Sequence, residues 1–552
     1  MLTEAEIRKI AIKNAYDHDG KAEVGSVISK ILGTFPEVRK QASEISKQVS
    51  AVVSEVNSLG NEKIISIVEK EFPEFMVRVT KKQEHRLPDL RNVGKHVVMR
   101  MAPSPSGPLH LGHSRMSILN DEYVKRYGGD LVLRIEDTNP ENIDPIAYDQ
   151  IPMDLQWLGV NVTQVVIQSE RMDIYYDEAR KLINSGRAYI CFCKQEEFRK
   201  LKLKSEACPH RDSSPVENME SFEKIIRGGF NRGNATLVIK TDLNHPNPSI
   251  RDWIAFRIVD TPHPRTGLKY RFYPMMNFSV AVDDHLLGLT HVIRGKDHLN
   301  NTEKQKYIFD YNDWTLPEYY HYGLINIPDT VLKTSIIKKG IVNGEYSGWD
   351  DVRLGTLMAL KKRGYAPETF RRYWIESGMK EIDAEFSWDI FNSMNREIVD
   401  KNASRFFFVK NPMEIRLNNE TALISKIPYH PGIPDTGFRE YEIGSNASIF
   451  VDPADWNNLD DGKSIRLKDL CDVQKIGNTG KVLSIKPGKE KLKIIHWAPQ
   501  GSLKFIIFRP DGTTDKGISE PLISSYRGIA QFERYGYVNV EGEKGTGYFL
   551  HK

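Results

Sequence analysis

Two histidines three residues apart, His110 and His113 in the stretch RMAPSPSGPLHLGH (100–113), stand where a proline-rich turn runs into helical spacing. That placement suits phosphate: free N–H groups and the dipole of a helix N-terminus face an anion, and both imidazoles can add donors. Gly112 between them lets a flat base approach the backbone. The chemistry is that of adenylyl transfer, where charge growing on phosphorus needs positioned donors. The alternative for an HxGH alone is a pair of helix-capping histidines. A second group is Cys191-Phe-Cys193, then 14 residues, then Cys208-Pro-His210. Three thiols and an imidazole make a closed, structural zinc site with no open position for catalysis. The alternative is three reduced cysteines beside a surface histidine. A third group is charge at the ends of apolar runs: Arg100 after VVM, and Glu136 and Asp137 after LVLRI.

These residues need a frame to hold them. VVMRM is a short strand, GHSRMSILNDEYVKRY a helix closed by Gly128 and Gly129, and DLVLRIED a second buried strand. Strand, helix, parallel strand is a βαβ unit, so a doubly wound sheet with its ligands at the carboxyl ends of the strands is expected. The alternation spans 93–187, breaks at the cysteine cluster, and resumes over 269–345 with LKYRFYPMMNF and THVIRG. Residues 188–268 therefore read as an insertion. Helical spacing in 1–92 and 346–395 marks an N-terminal helical domain and a helical connector. From 396 to 552, short strands such as FFFV, SIFV and KFIIF between Gly, Pro and Asn suggest one or two β-barrels. The fold class is α/β multidomain.

With 552 residues the chain is too long for one core. A composition 40% hydrophobic and 27% charged describes ordered globular domains. No apolar run reaches the roughly 18 residues of a membrane span, and the N-terminus has no secretory pattern. A cytoplasmic protein without a membrane partner is the expectation. Net charge is only +3, so any nucleic-acid contact must rest on local patches.

Taken together, APSPSGPLHLGH, LVLRIEDTNP, WLGV and VDDHLLGLTHVIRGKDH resemble the class I glutamyl- and glutaminyl-tRNA synthetase family, and the helical N-terminus with a β-rich C-terminus resembles its archaeal and eukaryotic glutamyl branch. The resemblance covers nearly the whole chain. It implies a Rossmann-like catalytic domain, an inserted acceptor-stem-binding domain at 188–268 and an anticodon-binding region at 396–552. It further implies ATP with Mg²⁺, L-glutamate and tRNA-Glu as reactants, with tRNA-Gln a second acceptor in some relatives. The state implied is a monomer or a weak complex through the N-terminal helices. His110 and His113 match the two histidines of the family signature and, with Gly112, would bind ATP. Glu136 would receive the substrate α-amino group, and Ala102 and Ser104 would line the amino-acid pocket. Tyr273 is a further wall, unless the family's tyrosine aligns with Met276.

Arg294, in THVIRG, occupies a position where the resemblance places arginine in glutamyl enzymes and a smaller uncharged residue in glutaminyl ones. With Arg100 it favours a γ-carboxylate, since a neutral amide would leave one arginine unpaired. The alternative for Arg294 is a structural ion pair with Asp297 or Asp284. The family's mobile lysine loop matches VLKTSIIKKG (331–340) only loosely: Thr334 replaces the central lysine, and Ile336 and Ile337 stand at often polar positions. Lys338 is assigned to phosphate, with Lys333 and Lys339 the other cations. Competing readings are a glutaminyl enzyme, opposed by Arg294, and a non-enzymatic RNA-binding descendant, opposed by the intact Arg100, His110, His113 and Glu136.

Overall fold

The apolar spacing of the first 70 residues closes into helices α1 (Glu4–Asp17), α2 (Val24–Thr34), α3 (Ala42–Ser58) and α4 (Asn61–Glu71). Their inward residues, among them Ile7, Val27, Ile31, Val49, Val56 and Val68, form a core of their own. The computed structural model describes residues 3–18, 20–35, 38, 42–72, 75, 87–433, 436–485 and 491–552. It divides into units Met1–Glu84 and His85–Lys552. Leu87 and Leu90 pack into the core of the larger unit, so the first domain ends before the expected residue 92.

In the larger unit the βαβ reading holds. β1 (Val98–Met101), α5 (Leu111–Tyr127), β2 (Asp130–Ile135), α6 (Ala147–Trp157) and β3 (Gln164–Ile167) follow in order, with β1 and β3 parallel on either side of β2. The glycine pair after α5 has two separate causes. Gly128 takes the left-handed cap at φ +67°, and a Cβ on Gly129 would lie 1.9 Å from the Val97 carbonyl oxygen. Farther along the chain, β8 (His291–Gly295) and β9 (Glu318–Tyr322) form a second parallel ladder. It meets the first where the Thr290 N–H donates to the Val98 oxygen at 2.9 Å. The two ladders side by side give the order β3-β2-β1-β8-β9, in which successive strands are added first on one side of β1 and then on the other. Such a switch point opens a crevice at the strands' carboxyl ends, where Arg100 and Arg294 lie.

Between the two ladders the chain forms α7 (Met172–Asn184), β4 (Ala188–Cys191), α8 (Gln195–Lys204), α9 (Pro215–Ile226), β5 (Thr236–Ile239), β6 (Trp253–Ile258) and β7 (Phe272–Pro274). The strands β4 to β7 make one antiparallel sheet. The expected boundary at 268 is thus displaced: RFYP pairs with β6, and the inserted sheet runs to Pro274. The chain returns to the catalytic layer with α10 (Met276–Leu286), α11 (Leu299–Tyr311) after β8, and α12 (Thr334–Val342).

Two seven-stranded sheets and a two-stranded ribbon, Leu423–Pro428 with Phe438–Ile443, make up the C-terminal region. In each seven-stranded sheet, the strand order begins and ends on the two halves of one segment: 404–410, broken at Phe407, and 494–498, broken at His496. Each sheet therefore closes on itself, as the barrel reading requires. The strands of 413–498 other than that ribbon build one barrel, inserted between residues 410 and 503 of the other. The rings of Phe407 and His496 stack at 4.4 Å.

Candidate active site

The prolines and glycine of PSPSG cannot continue β1, and the chain resumes regular structure only at α5, whose N-cap is His110. His110 Nδ1 accepts the Gly112 N–H at 3.1 Å, and His113 Nδ1 accepts the His110 N–H at 3.3 Å. With both Nδ1 atoms accepting, each ring carries its proton on Nε2 and presents it as a donor. The rings stack at 3.6 Å. Burial holds both imidazoles neutral, His110 well below its ordinary value and His113 at about 4. Nδ1 of each ring thus serves the helix, as the capping alternative requires, and the donor reading rests on Nε2. A Cβ at Gly112 would press on the His110 ring at 3.1 Å. The signature is fixed from outside as well, the Leu111 and Leu357 N–H groups donating to the Gly355 and Leu109 oxygens at 2.9 and 2.8 Å.

At the switch point three guanidiniums face two carboxylates. Arg134, fully buried on β2, bridges Glu136 (2.9 Å) and Asp284 (2.6 Å). Arg100, 4% exposed, donates to the Ile293 oxygen at 3.0 Å, and its Nε has no partner. Arg294, also 4% exposed, donates to Gln305 Oε1 at 3.0 Å from both terminal nitrogens and to Thr302 Oγ1, and its Nε too is unpartnered. Its guanidinium lies 4.8 Å from the Tyr319 ring. Among the described residues no carboxylate comes within ion-pair distance of Arg100 or Arg294, so the alternative of Asp297 or Asp284 as partner of Arg294 fails. Burial lowers both, Arg294 to about 10, with Arg100 pushing the same way. One positive charge is left uncompensated. Glu136, whose carboxyl burial raises against the pull of Arg134 and Arg100, also anchors the turn through its N–H to the Pro103 oxygen at 3.0 Å. Ala102 and Ser104 are in that turn, half-buried and exposed.

Tyr273 stands elsewhere. It is 1% exposed in the core shared by the inserted sheet and α10, its hydroxyl unpartnered and its ring beside His263. RFYP pairs in β7, which sets the Tyr273 ring in that core. Met276 opens α10 and lines a cavity of about 440 Å³ with Trp253, Lys202 and Lys304. Lys338 lies on α12, half-exposed, 3.4 Å from the Asp144 carboxylate and 3.3 Å from the Ile143 oxygen. Asp144 itself donates its N–H to the Pro105 oxygen, and Ser106 and Thr334 share a hydroxyl contact at 3.1 Å. Thr334 and Lys338 therefore border the proline turn, while Ile337 is buried and Ile336 is exposed.

The cysteine set converges. Cys208 Sγ lies 3.4 Å from Cys191 Sγ, 3.6 Å from Cys193 Sγ and 3.4 Å from His210 Nδ1. All four ligand atoms fall within 4.8 Å of one another. Bonds of ~2.3 Å from zinc to sulfur give tetrahedral edges of ~3.8 Å, so the donors fit that ion.

Residues 96–401 match the family model for the catalytic domain of tRNA synthetases class I (E and Q), and residues 403–486 match its anticodon-binding domain. The chain belongs to this family. A glutamate–tRNA ligase of Thermoplasma volcanium is 58% identical over 99% of this chain and 100% of its own length. One from Thermoplasma acidophilum is 56% identical over 92% of each chain. Among solved structures, a glutamate tRNA ligase from Elizabethkingia meningosepticum in complex with its amino acid is 21% identical. It has a TM-score of 0.41 and covers 56% of this chain and 70% of that one.

Several residues around this synthetase's site had gone unremarked. Arg134 carried the same signal as Arg100, a cation inside an apolar strand. Thr302 and Gln305 carried none, since LNNTEKQKY reads as a surface helix until α11 is seen turning Thr302 and Gln305 inward. Asp144 lies in a loop that no periodicity marks. Among the described residues no helix is long and apolar enough to cross a membrane.

Proposed function

We propose that this chain ligates L-glutamate to the 3′ end of tRNA-Glu, consuming ATP and releasing AMP and pyrophosphate. The observation that carries the choice of amino acid is the pair of buried guanidiniums, Arg100 and Arg294, at adjoining strand ends with no carboxylate partner. A glutamate γ-carboxylate supplies the missing charge, whereas a glutamine amide leaves a buried cation uncompensated. The full-length likeness to glutamate–tRNA ligases supports the same choice.

In the first step an α-carboxylate oxygen of glutamate attacks the ATP α-phosphorus and pyrophosphate departs, leaving glutamyl-adenylate. His110 and His113 donate from Nε2 to the phosphate oxygens as charge grows there. Lys338 and the Thr334 end of α12, which border the proline turn, would add a cation and a hydroxyl to the phosphates, and ATP arrives as its magnesium complex. Glu136 and the turn at Ala102 and Ser104 orient the amino acid. In the second step the 2′-hydroxyl of the terminal adenosine attacks the carbonyl carbon and AMP leaves. Positioning, rather than a strong protein base, carries this transfer.

Cys191, Cys193, Cys208 and His210 would hold a structural zinc that staples the end of β4 to the loop between α8 and α9. Residues 188–274 then face the acceptor end, and 403–552 the anticodon.

Purified protein incubated with glutamate or glutamine and with tRNA-Glu or tRNA-Gln tests the reading directly. Charging of tRNA-Glu with glutamate alone is expected. Preferred glutamine charging would sink it, and glutamate on tRNA-Gln would widen the acceptor range without changing the chemistry.

A further inference from the structure

Arg294 is held by an unusual set of partners for a buried cation. Gln305 is fully buried on α11, and its Oε1 accepts from both terminal nitrogens of Arg294 at 3.0 Å. Its amide orientation is settled by chemistry, because an NH₂ group cannot face guanidinium donors, and Nε2 points instead to Asn277 Oδ1 at 3.4 Å. Thr302, one helical turn earlier and 4% exposed, accepts from Arg294 while sharing a 2.8 Å contact with His321 Nε2. His321 is kept neutral by burial and by Arg294 itself. Every group that fixes this guanidinium is therefore uncharged. The nearby carboxylates are either bound to Arg134, as Glu136 and Asp284 are, or exposed, as Asp297 and Glu303 are.

We propose that Gln305, aided by Thr302, is a positioning residue that orients Arg294 through neutral acceptors, leaving its charge free for the substrate side chain and so setting the preference for glutamate over glutamine. This rests on the proposed function. The physical point is a choice between two isosteric side chains. A glutamate at 305 fits the same space and replaces the neutral acceptor with a charged one, a stronger pair. That pair would discharge Arg294 internally, and an incoming γ-carboxylate would meet a neutral site.

The test measures tRNA charging by wild type, Gln305→Glu and Gln305→Met, with KM and kcat determined for both amino acids. For Gln305→Glu, KM for glutamate should rise by about 30-fold or more with kcat changed only a few-fold. The glutamate-to-glutamine ratio of kcat/KM should fall by a similar factor. Gln305→Met removes the acceptor but not the charge of Arg294, so KM should rise about fivefold while the ratio stays within about threefold of wild type. Equal loss of discrimination in both variants, or wild-type KM and discrimination in Gln305→Glu, overturns the proposal. Should Gln305→Glu not fold, an unchanged KM in Gln305→Met overturns it alone. Wild-type protein that fails to charge glutamate would instead count against the proposed function.

Discussion

Arg294 and Arg439 are both sealed from solvent, at 4% and 0% exposure, yet opposite means satisfy them. Arg439, on the strand Phe438–Ile443, is ion-paired with Glu520, which also accepts the Tyr441 hydroxyl at 3.2 Å. Arg294 is met only by an amide oxygen, a hydroxyl and an aromatic face, with Arg100 adding a second cation nearby. Both guanidiniums had to be desolvated, which is costly unless an opposite charge compensates. In the C-terminal region that charge is built into the chain. At the switch point it is missing among the described residues, and the proposed glutamate carboxylate would supply it. The kind of partner, rather than burial, is what separates Arg294 from Arg439.

The largest effect expected from this contrast is on catalysis. Arg294→Cys should lower kcat/KM for glutamate by about 1,000-fold while KM for ATP moves less than about twofold, read by tRNA charging. Equal damage to both constants would mean that Arg294 is structural like Arg439. The mirror experiment is Arg439→Met, which strands Glu520 and should cost about 3 kcal/mol of stability in denaturant unfolding with KM for glutamate unchanged. The double variant Arg439→Met with Glu520→Leu should recover most of that loss, a rescue unavailable to Arg294.

The cysteine cluster applies the same rule with the sign reversed, since three thiols and an imidazole gather with no cation among the side chains. Metal analysis should find one zinc per chain, and Cys193→Ser should lose it together with protease resistance in residues 188–274. Lys338→Ala removes a half-exposed cation already paired with Asp144, so a fall of only about tenfold in charging rate is expected, with KM for glutamate unmoved.

The smallest effect is with pH. The His113 imidazole is depressed to about 4 from an ordinary 6.5, so between those values the unfolded chain binds the extra proton. Its contribution to stability is complete above about pH 6.5 and is lost as pH falls toward 4. No break in kcat/KM for ATP near pH 6.5 should arise from His110 or His113, and NMR titration of their ring protons checks the assignment.

Local pattern carried the sequence reading a long way. β1, α5 and β2 were legible because apolar spacing, a terminal glycine pair and end charges agree within 40 residues. Arg100 and Arg294 were legible as charges out of place. Phe272–Pro274 fell outside the expected insertion because a three-residue strand beside an apolar helix has no period of its own. The partners of Arg294 stayed hidden because Thr302 and Gln305 are ordinary helix-surface types, made special only by which face of α11 turns inward. Closure of the outer β-sheet rests on pairings more than 100 residues apart, such as Ser404 with Ala530, and that of the inner one on pairings such as Phe450 with Ala498, which no short window of sequence contains.

The stacked rings of Phe407 and His496 bear on how this region can be rebuilt. They lie where each barrel's closing segment breaks, and the residues beside them, Val409 and Ala498, pack in one small cluster with Ile518. Departure and return of the 413–498 segment thus occur at one seam. Residues 404–410 and 503–551 supply every strand of the outer ladder, so the inner barrel is a cassette by connectivity, held to its host by the ring stack and by the ion pairs Arg439–Glu520, Lys468–Glu533 and Asp455–Arg534, which a replacement from a relative must carry with it.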